Sequence, residues 1–210
     1  VDMKRIFYIL FLQFFAFTSV FATHERAGEI IYKHLEGLTY EVKIITYTYA
    51  PRPADRPELE IKWGDGTSSI LPRILKVDLT QVIRRNEYIG QHTYAGPGIF
   101  KISLEDPNRN YGIVNIPNSV NIPFYIETEL IINPFLGVNN SVELLNPPLD
   151  YGCVNRLYIH NPNAYDPDGD SLSYKLTICR GAGGLPIPGY TLPAASNSFT
   201  IDELTGDLIW

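Results

Sequence analysis

Leu59-Glu60-Ile61-Lys62-Trp63-Gly64-Asp65-Gly66-Thr67 decides how the rest of the chain is read. Apolar and charged residues alternate over 59–63, which is the period of a strand with one buried face. The run stops at Gly64-Asp65-Gly66. Two glycines accept positive φ, and the aspartate between them has a side chain suited to bonding the N–H groups of the turn. The same period lies upstream in Tyr40-Glu41-Val42-Lys43-Ile44, and a β-branched and aromatic run continues to Tyr49. Downstream it returns in Ile99-Phe100-Lys101-Ile102-Ser103-Leu104 and halts at Asp106-Pro107-Asn108. Further strands are expected at 70–77, 87–95, 111–116, 124–132, 154–159, 171–179 and 197–202, and one short helix over 77–85. No segment sustains a helical period. With 16 Gly and 16 Pro as punctuation, short strands at this spacing predict an all-β chain of sandwich type.

The N-terminus carries a different signal. Lys4 and Arg5 precede an apolar run over 6–17, broken only by Gln13, and small or apolar residues follow to Ala22. This is the three-part pattern of a secretory signal peptide. The run is shorter than the roughly 20 residues a bilayer span needs, so no membrane span is expected. Residues 1–22 are read as the signal peptide, with cleavage after Ala22 leaving a chain that begins Thr23-His24-Glu25.

Removing Asp2, Lys4 and Arg5 takes the formal charge from −6 to −7. A mildly acidic chain without a basic cluster argues against nucleic acid as a partner. The remaining length suits two domains of ordinary sandwich size. Asn-Pro and Pro-Pro steps cluster between 116 and 148, around the strand-like stretch 124–132. The organisation expected is a first sandwich over 23–120, a connecting strand or linker over 121–147, and a second sandwich over 148–210.

About thirty residues after the opening motif comes His92-Thr93-Tyr94-Ala95-Gly96-Pro97-Gly98-Ile99-Phe100-Lys101-Ile102. Together the two segments resemble a PKD (polycystic kidney disease) domain, an Ig-like sandwich of many exported bacterial proteins. The resemblance covers roughly 25–116. It implies structural roles for Trp63, Gly64, Asp65, Gly66, His92, Tyr94 and Gly98. The competing reading makes Asp65 and His92 an acid–base or metal pair. No nucleophile motif or second carboxylate accompanies them, and the structural role is preferred.

A second marker is Ala164-Tyr165-Asp166-Pro167-Asp168-Gly169-Asp170-Ser171-Leu172-Ser173-Tyr174, paired with Phe199-Thr200-Ile201-Asp202-Glu203-Leu204-Thr205-Gly206-Asp207-Leu208-Ile209-Trp210. These pieces resemble the corresponding segments of cadherin-like and dystroglycan-type bacterial Ig repeats. Asp166, Asp168 and Asp170 at i, i+2 and i+4 fit either the start of a Ca²⁺ loop or an Asx/Gly turn with solvated carboxylates. The bidentate Glu of an EF-hand is missing, since its place falls on Thr177. Glu127, Glu129 and Asp150 are the further oxygens a folded-back junction would offer. Cys153 and Cys179 fit either a disulfide, which export permits, or two separate thiols.

With PKD-like and cadherin-like pieces in this order, the chain resembles gliding-motility-associated surface proteins of Bacteroidota, which leave the cell by type IX secretion. The resemblance implies a non-catalytic structural or adhesive module at the cell surface. Its expected partners are neighbouring Ig-like domains and an extracellular protein or glycan. Tyr32, Tyr47, Tyr49, Tyr111 and Tyr125 are candidates for an interaction face. The alternative is an accessory spacer or glycan-binding module of a larger secreted hydrolase. An enzyme within these 210 residues is disfavoured, since no nucleophile motif is visible.

Overall fold

The computed structural model describes residues 25–51, 55–107, 109–148 and 151–210. The stretch read as a signal peptide, its expected cleavage site and Asp150 lie outside them. Seven antiparallel strands form the main body: β1 (Glu25–Glu36), β2 (Thr39–Tyr49), β3 (Glu58–Lys62), β4 (Ser68–Asp78), β5 (Ile83–Thr93), β6 (Gly98–Asp106) and β7 (Phe124–Ile132). Their order is β1-β2-β5-β4-β3-β6-β7. The chain is all-β and sandwich-like, as its patterning predicts.

β4 is the fold line. Its first half pairs with β3, from Ser68 opposite Lys62 to Pro72 opposite Glu58. Its second half pairs with β5, and the register shifts between Arg73 and Leu75. The strand thus passes from one layer to the other through a bulge. Pro72, which has no N–H to give, sits where the first ladder ends. Asp55 holds the bend from outside by taking the guanidinium of Arg73 and, at 3.0 Å, the Nζ of Lys76.

The two layers enclose one large core. Ile30, Val42, Ile44 and Tyr88 come from one side, and Ile61, Trp63, Ile102, Leu104 and Leu130 from the other. A second, smaller cluster of Ile31, Ile45, Tyr47 and Ile83 covers the opposite face of β1 and β2. Burying side chains of this size contributes about 1.5–3 kcal/mol each. Packing on both faces explains why β1 escaped the sequence reading. Ile30, Ile31 and Tyr32 are buried in succession, so the strand lacks the alternation that marks a half-exposed one.

Other expectations need correcting as well. The segment 77–85 is no helix: it is the end of β4, a turn and the start of β5. Thr80 builds the turn, because its Oγ1 accepts from the N–H groups of Val82 and Ile83, while the Leu79 N–H reaches Ile83 O at 2.9 Å. The stretch 111–116 is a string of turns, tied by the Ser119 hydroxyl to Asn110 O and the Ile113 N–H. The stretch 171–179 forms no ladder. Its alternation is visible as half-buried Leu172, Tyr174 and Leu176 between exposed neighbours, but among the described residues it pairs with no strand, and its Tyr174 N–H bonds Glu203 O in the turn between β11 and β12.

β7 pairs with β6 along its whole length, from Phe124 opposite Asp106 to Ile132 opposite Gly98. It falls in the connecting stretch of the sequence reading, and it is the last strand of the sheet. Beyond it, among the described residues, only two-residue strands occur: β8 (Glu143–Leu144) with β10 (Ala164–Tyr165), and β12 (Leu208–Ile209) between β9 (Ile159–His160) and β11 (Thr200–Ile201). β11 and β12 are joined by the expected turn at Thr205-Gly206, where the Asp202 carboxylate accepts from the N–H groups of Leu204 and Thr205. Of the strand expected over 154–159, only Ile159 pairs. Among the described residues no helix is long and apolar enough to cross a membrane.

Candidate functional site

The opening motif closes one end of the sandwich. Trp63 is buried where β3 ends, and its indole N–H donates to Ser69 Oγ at 2.9 Å. The turn that follows is closed by the Trp63 N–H bonding Thr67 O. Gly64 is there by necessity: its φ is +87°, and a Cβ would stand 2.6 Å from the Lys101 backbone nitrogen. Asp65 Oδ1 accepts from the amide and hydroxyl of Thr67 at 3.0 and 2.6 Å. Its Oδ2 accepts from His92 Nε2 at 2.7 Å.

The His92 ring stacks on Trp63 at 4.8 Å and meets Tyr94 edge-on at 4.6 Å. The Tyr94 hydroxyl returns to Trp63 O at 3.0 Å, and its ring stacks on Phe100. Gly98 passes close under the Phe100 ring. Partial burial pushes the Asp65 carboxyl up, but the Thr67 hydroxyl, the His92 ring and the Thr67 amide outweigh it and bring it down to about 2. The side chains of the motif are thus engaged with one another, joining the ends of β3, β5 and β6.

The acidic turn is tied to its own backbone and to a neighbouring loop. Asp166 Oδ1 accepts from the N–H groups of Asp168 and Asp170, an Asx turn. Asp168 reaches away and takes the backbone and side-chain N–H groups of Asn140 at 2.6 and 2.8 Å. Asp168 and Asp170 share a cleft with Glu129, while Glu127 sits elsewhere with Tyr125. Among the described residues no group of three or more His, Cys, Asp or Glu is placed to hold a metal ion.

Cys153 and Cys179 are free thiols, without the bridge that the sequence allowed. They line two different clefts, Cys153 beside Tyr158 and Trp210, Cys179 beside Arg180 and Tyr190. The tyrosines do not form one face. Tyr32 and Tyr47 belong to the two clusters of the core. Tyr49 lies under the Arg26 guanidinium, and Tyr125 donates to Glu127 at 2.7 Å. Tyr111 stands alone in solvent.

A cleft that sequence reasoning missed opens where the outer strands of the folded sheet approach each other. It has a volume of about 690 Å³. Gly28, Glu29 and Ile30 of β1 form one wall, residues 125–128 of β7 a second, Val142 and Leu144 a third, and Thr177, Ile178, Cys179, Arg180 and Tyr190 the far side. Glu29 accepts from the Leu144 N–H at 3.3 Å. Burial pushes its carboxyl up, and that amide pulls against it. Glu127 is neutralised by Lys101 at 3.5 Å and Arg180 at 3.7 Å. No residue of this cleft forms a motif, which is why the sequence hid it: its walls come from β1, β7 and segments far apart in the chain.

Below the cleft, Arg109 ties the parts together. It is buried, donates to Pro123 O at 3.0 Å and to Arg180 O, and covers the Phe124 ring. The Gly183 N–H donates to Glu105 at 2.7 Å. No protein-family model matches the chain, and neither does any curated protein or solved structure.

Proposed function

We propose that the chain is a non-catalytic structural and adhesive module of an exported surface protein, of the PKD-containing, gliding-motility-associated kind, with tandem Ig-like domains after a signal peptide. The observation that carries this reading is the fate of Asp65 and His92. They are the residues best suited to acid–base chemistry, and the turn at 64–67 holds Asp65 against the His92 ring of β5. Both oxygens of Asp65 are engaged by Thr67 and His92, and the imidazole lies between Trp63 and Tyr94. Such a cluster stiffens the end of a sandwich. The contacts of Arg109 and Gly183 give a second support, because a spacer gains from a docked rather than a swinging neighbour.

The test has two arms. Antibody against the purified chain is applied to intact producing cells, and the N-terminus of the extracted protein is sequenced. Surface labelling and an N-terminus at Thr23 are expected. Retention inside the cell with 1–22 uncleaved would sink the reading, as would turnover of common glycans or peptides that is lost in an Asp65→Asn, His92→Gln double variant.

A further inference from the structure

β1 has an edge that the protein uses only in part. In an antiparallel pair, alternate residues turn their N–H and C=O groups away from the partner. Tyr32 is one such residue. Its N–H donates to Ser141 Oγ at 2.8 Å, and its carbonyl accepts from the Ser141 N–H at 2.9 Å. The His34 N–H, two residues on, donates to Asn140. The register with β2 is unbroken from Ala27 to His34, so Gly28 and Ile30 also direct their backbone groups outward. Both line the cleft, and neither has a hydrogen-bond partner on that edge among the described residues. A half-buried edge with unpaired groups is a template for another strand.

We propose that the seam between β1 and β7 is a docking groove for an extended peptide segment of a partner polypeptide, which adds to β1 at Gly28 and Ile30 and offers a Lys or Arg to Glu29. The inference rests on the adhesive reading above and names where its partner binds. Continuity carries it: the chain's own segment at 140–141 already occupies the next two outward positions of the same edge. Charge supports it. Glu127 is matched by Lys101 and Arg180 at ion-pair distance, whereas Glu29 has a hydrogen bond from the Leu144 amide and feels Arg85 and Lys43 only from beyond ion-pair distance among the described residues. Main-chain bonds would supply affinity, and Glu29 would select the basic side chain.

Random peptides of about 12 residues, long enough to span a strand, are displayed on phage and selected on the full chain. Each clone is counter-screened on Thr177→Trp, an exposed position on the far wall where the indole fills the groove and leaves the melting temperature unchanged. Clones that bind the wild type and lose the variant are expected to carry a Lys or Arg. They are also expected to slow hydrogen exchange at the Gly28 and Ile30 amides on the order of tenfold, and to bind Glu29→Lys on the order of tenfold more weakly. The groove is refuted if no clone separates wild type from Thr177→Trp. It is equally refuted if the clones leave both amides unprotected, or if only a glycan, on an array, is blocked by that variant. Surface labelling without such clones sinks the groove alone; such clones on a protein retained inside the cell sink the surface reading alone.

Discussion

Asp65 shows what a single side chain does here. Its carboxyl lies at about 2 in the fold, against about 3.9 in an unfolded chain. A lowered value means that the folded state binds its proton later. The stabilisation is therefore complete above about 3.9 and is lost as pH falls through about 2. The residue lies at the surface with its side chain 20% exposed, and solvent screening reduces the contribution to on the order of 1 kcal/mol. Asp65→Asn is expected to lower stability by about that amount at pH 6, measured by urea denaturation, with the difference from wild type closing near pH 2. An undiminished gap at pH 2 would show that charge is not the cause. Gly64 and Asp65 were legible in the sequence because each has a local reason, positive φ at the one and a side chain bonding its own turn at the other; His92 and Tyr94 bond residues 27 and 31 positions away, and only the family resemblance pointed to them.

At the scale of elements, legibility tracked how a strand is buried. β3, with its buried Leu59 and Ile61 between exposed charges, was plain in the sequence. β1 was not, because both of its faces pack. The stretch 171–179 misled in the opposite way, since alternation describes a half-buried surface but does not supply a neighbour to pair with. The mistaken helix over 77–85 came from missing a turn that depends on one hydroxyl. Thr80 Oγ1 accepts two backbone N–H groups between β4 and β5. Thr80→Ala is expected to cost about 1 kcal/mol in thermal unfolding, and Thr80→Ser to recover most of it. Equal losses in the two variants would place the effect in the methyl group instead.

For the molecule as a whole, the cleft and the junction were illegible because both are made by distant segments. Arg109 meets the carbonyls of Pro123 and Arg180, and nothing local in the sequence announces that. Arg109→Met keeps the bulk and leaves two carbonyls without their donor. It is expected to destabilise the chain by roughly 2–4 kcal/mol and to speed limited proteolysis within 180–191. Cleavage at the wild-type rate would mean that the junction is held elsewhere. Calcium is expected to have no such effect. With Asp166 and Asp168 committed to backbone and Asn140, millimolar Ca²⁺ and EDTA should give melting temperatures within about 1 °C; a larger rise with Ca²⁺ would restore the metal reading.

The double packing of β2 has a consequence for how freely the sequence can drift. Tyr40, Val42 and Ile44 face inward with less enclosed residues between them, and then Ile44, Ile45, Thr46 and Tyr47 are enclosed one after another. A saturation scan read out by folding yield should therefore trace a comb of tolerated and forbidden positions up to Lys43. From there it should show a solid block with no permissive tooth, and diversity would have to be carried by exposed positions such as Ile70 and Ile74 on β4.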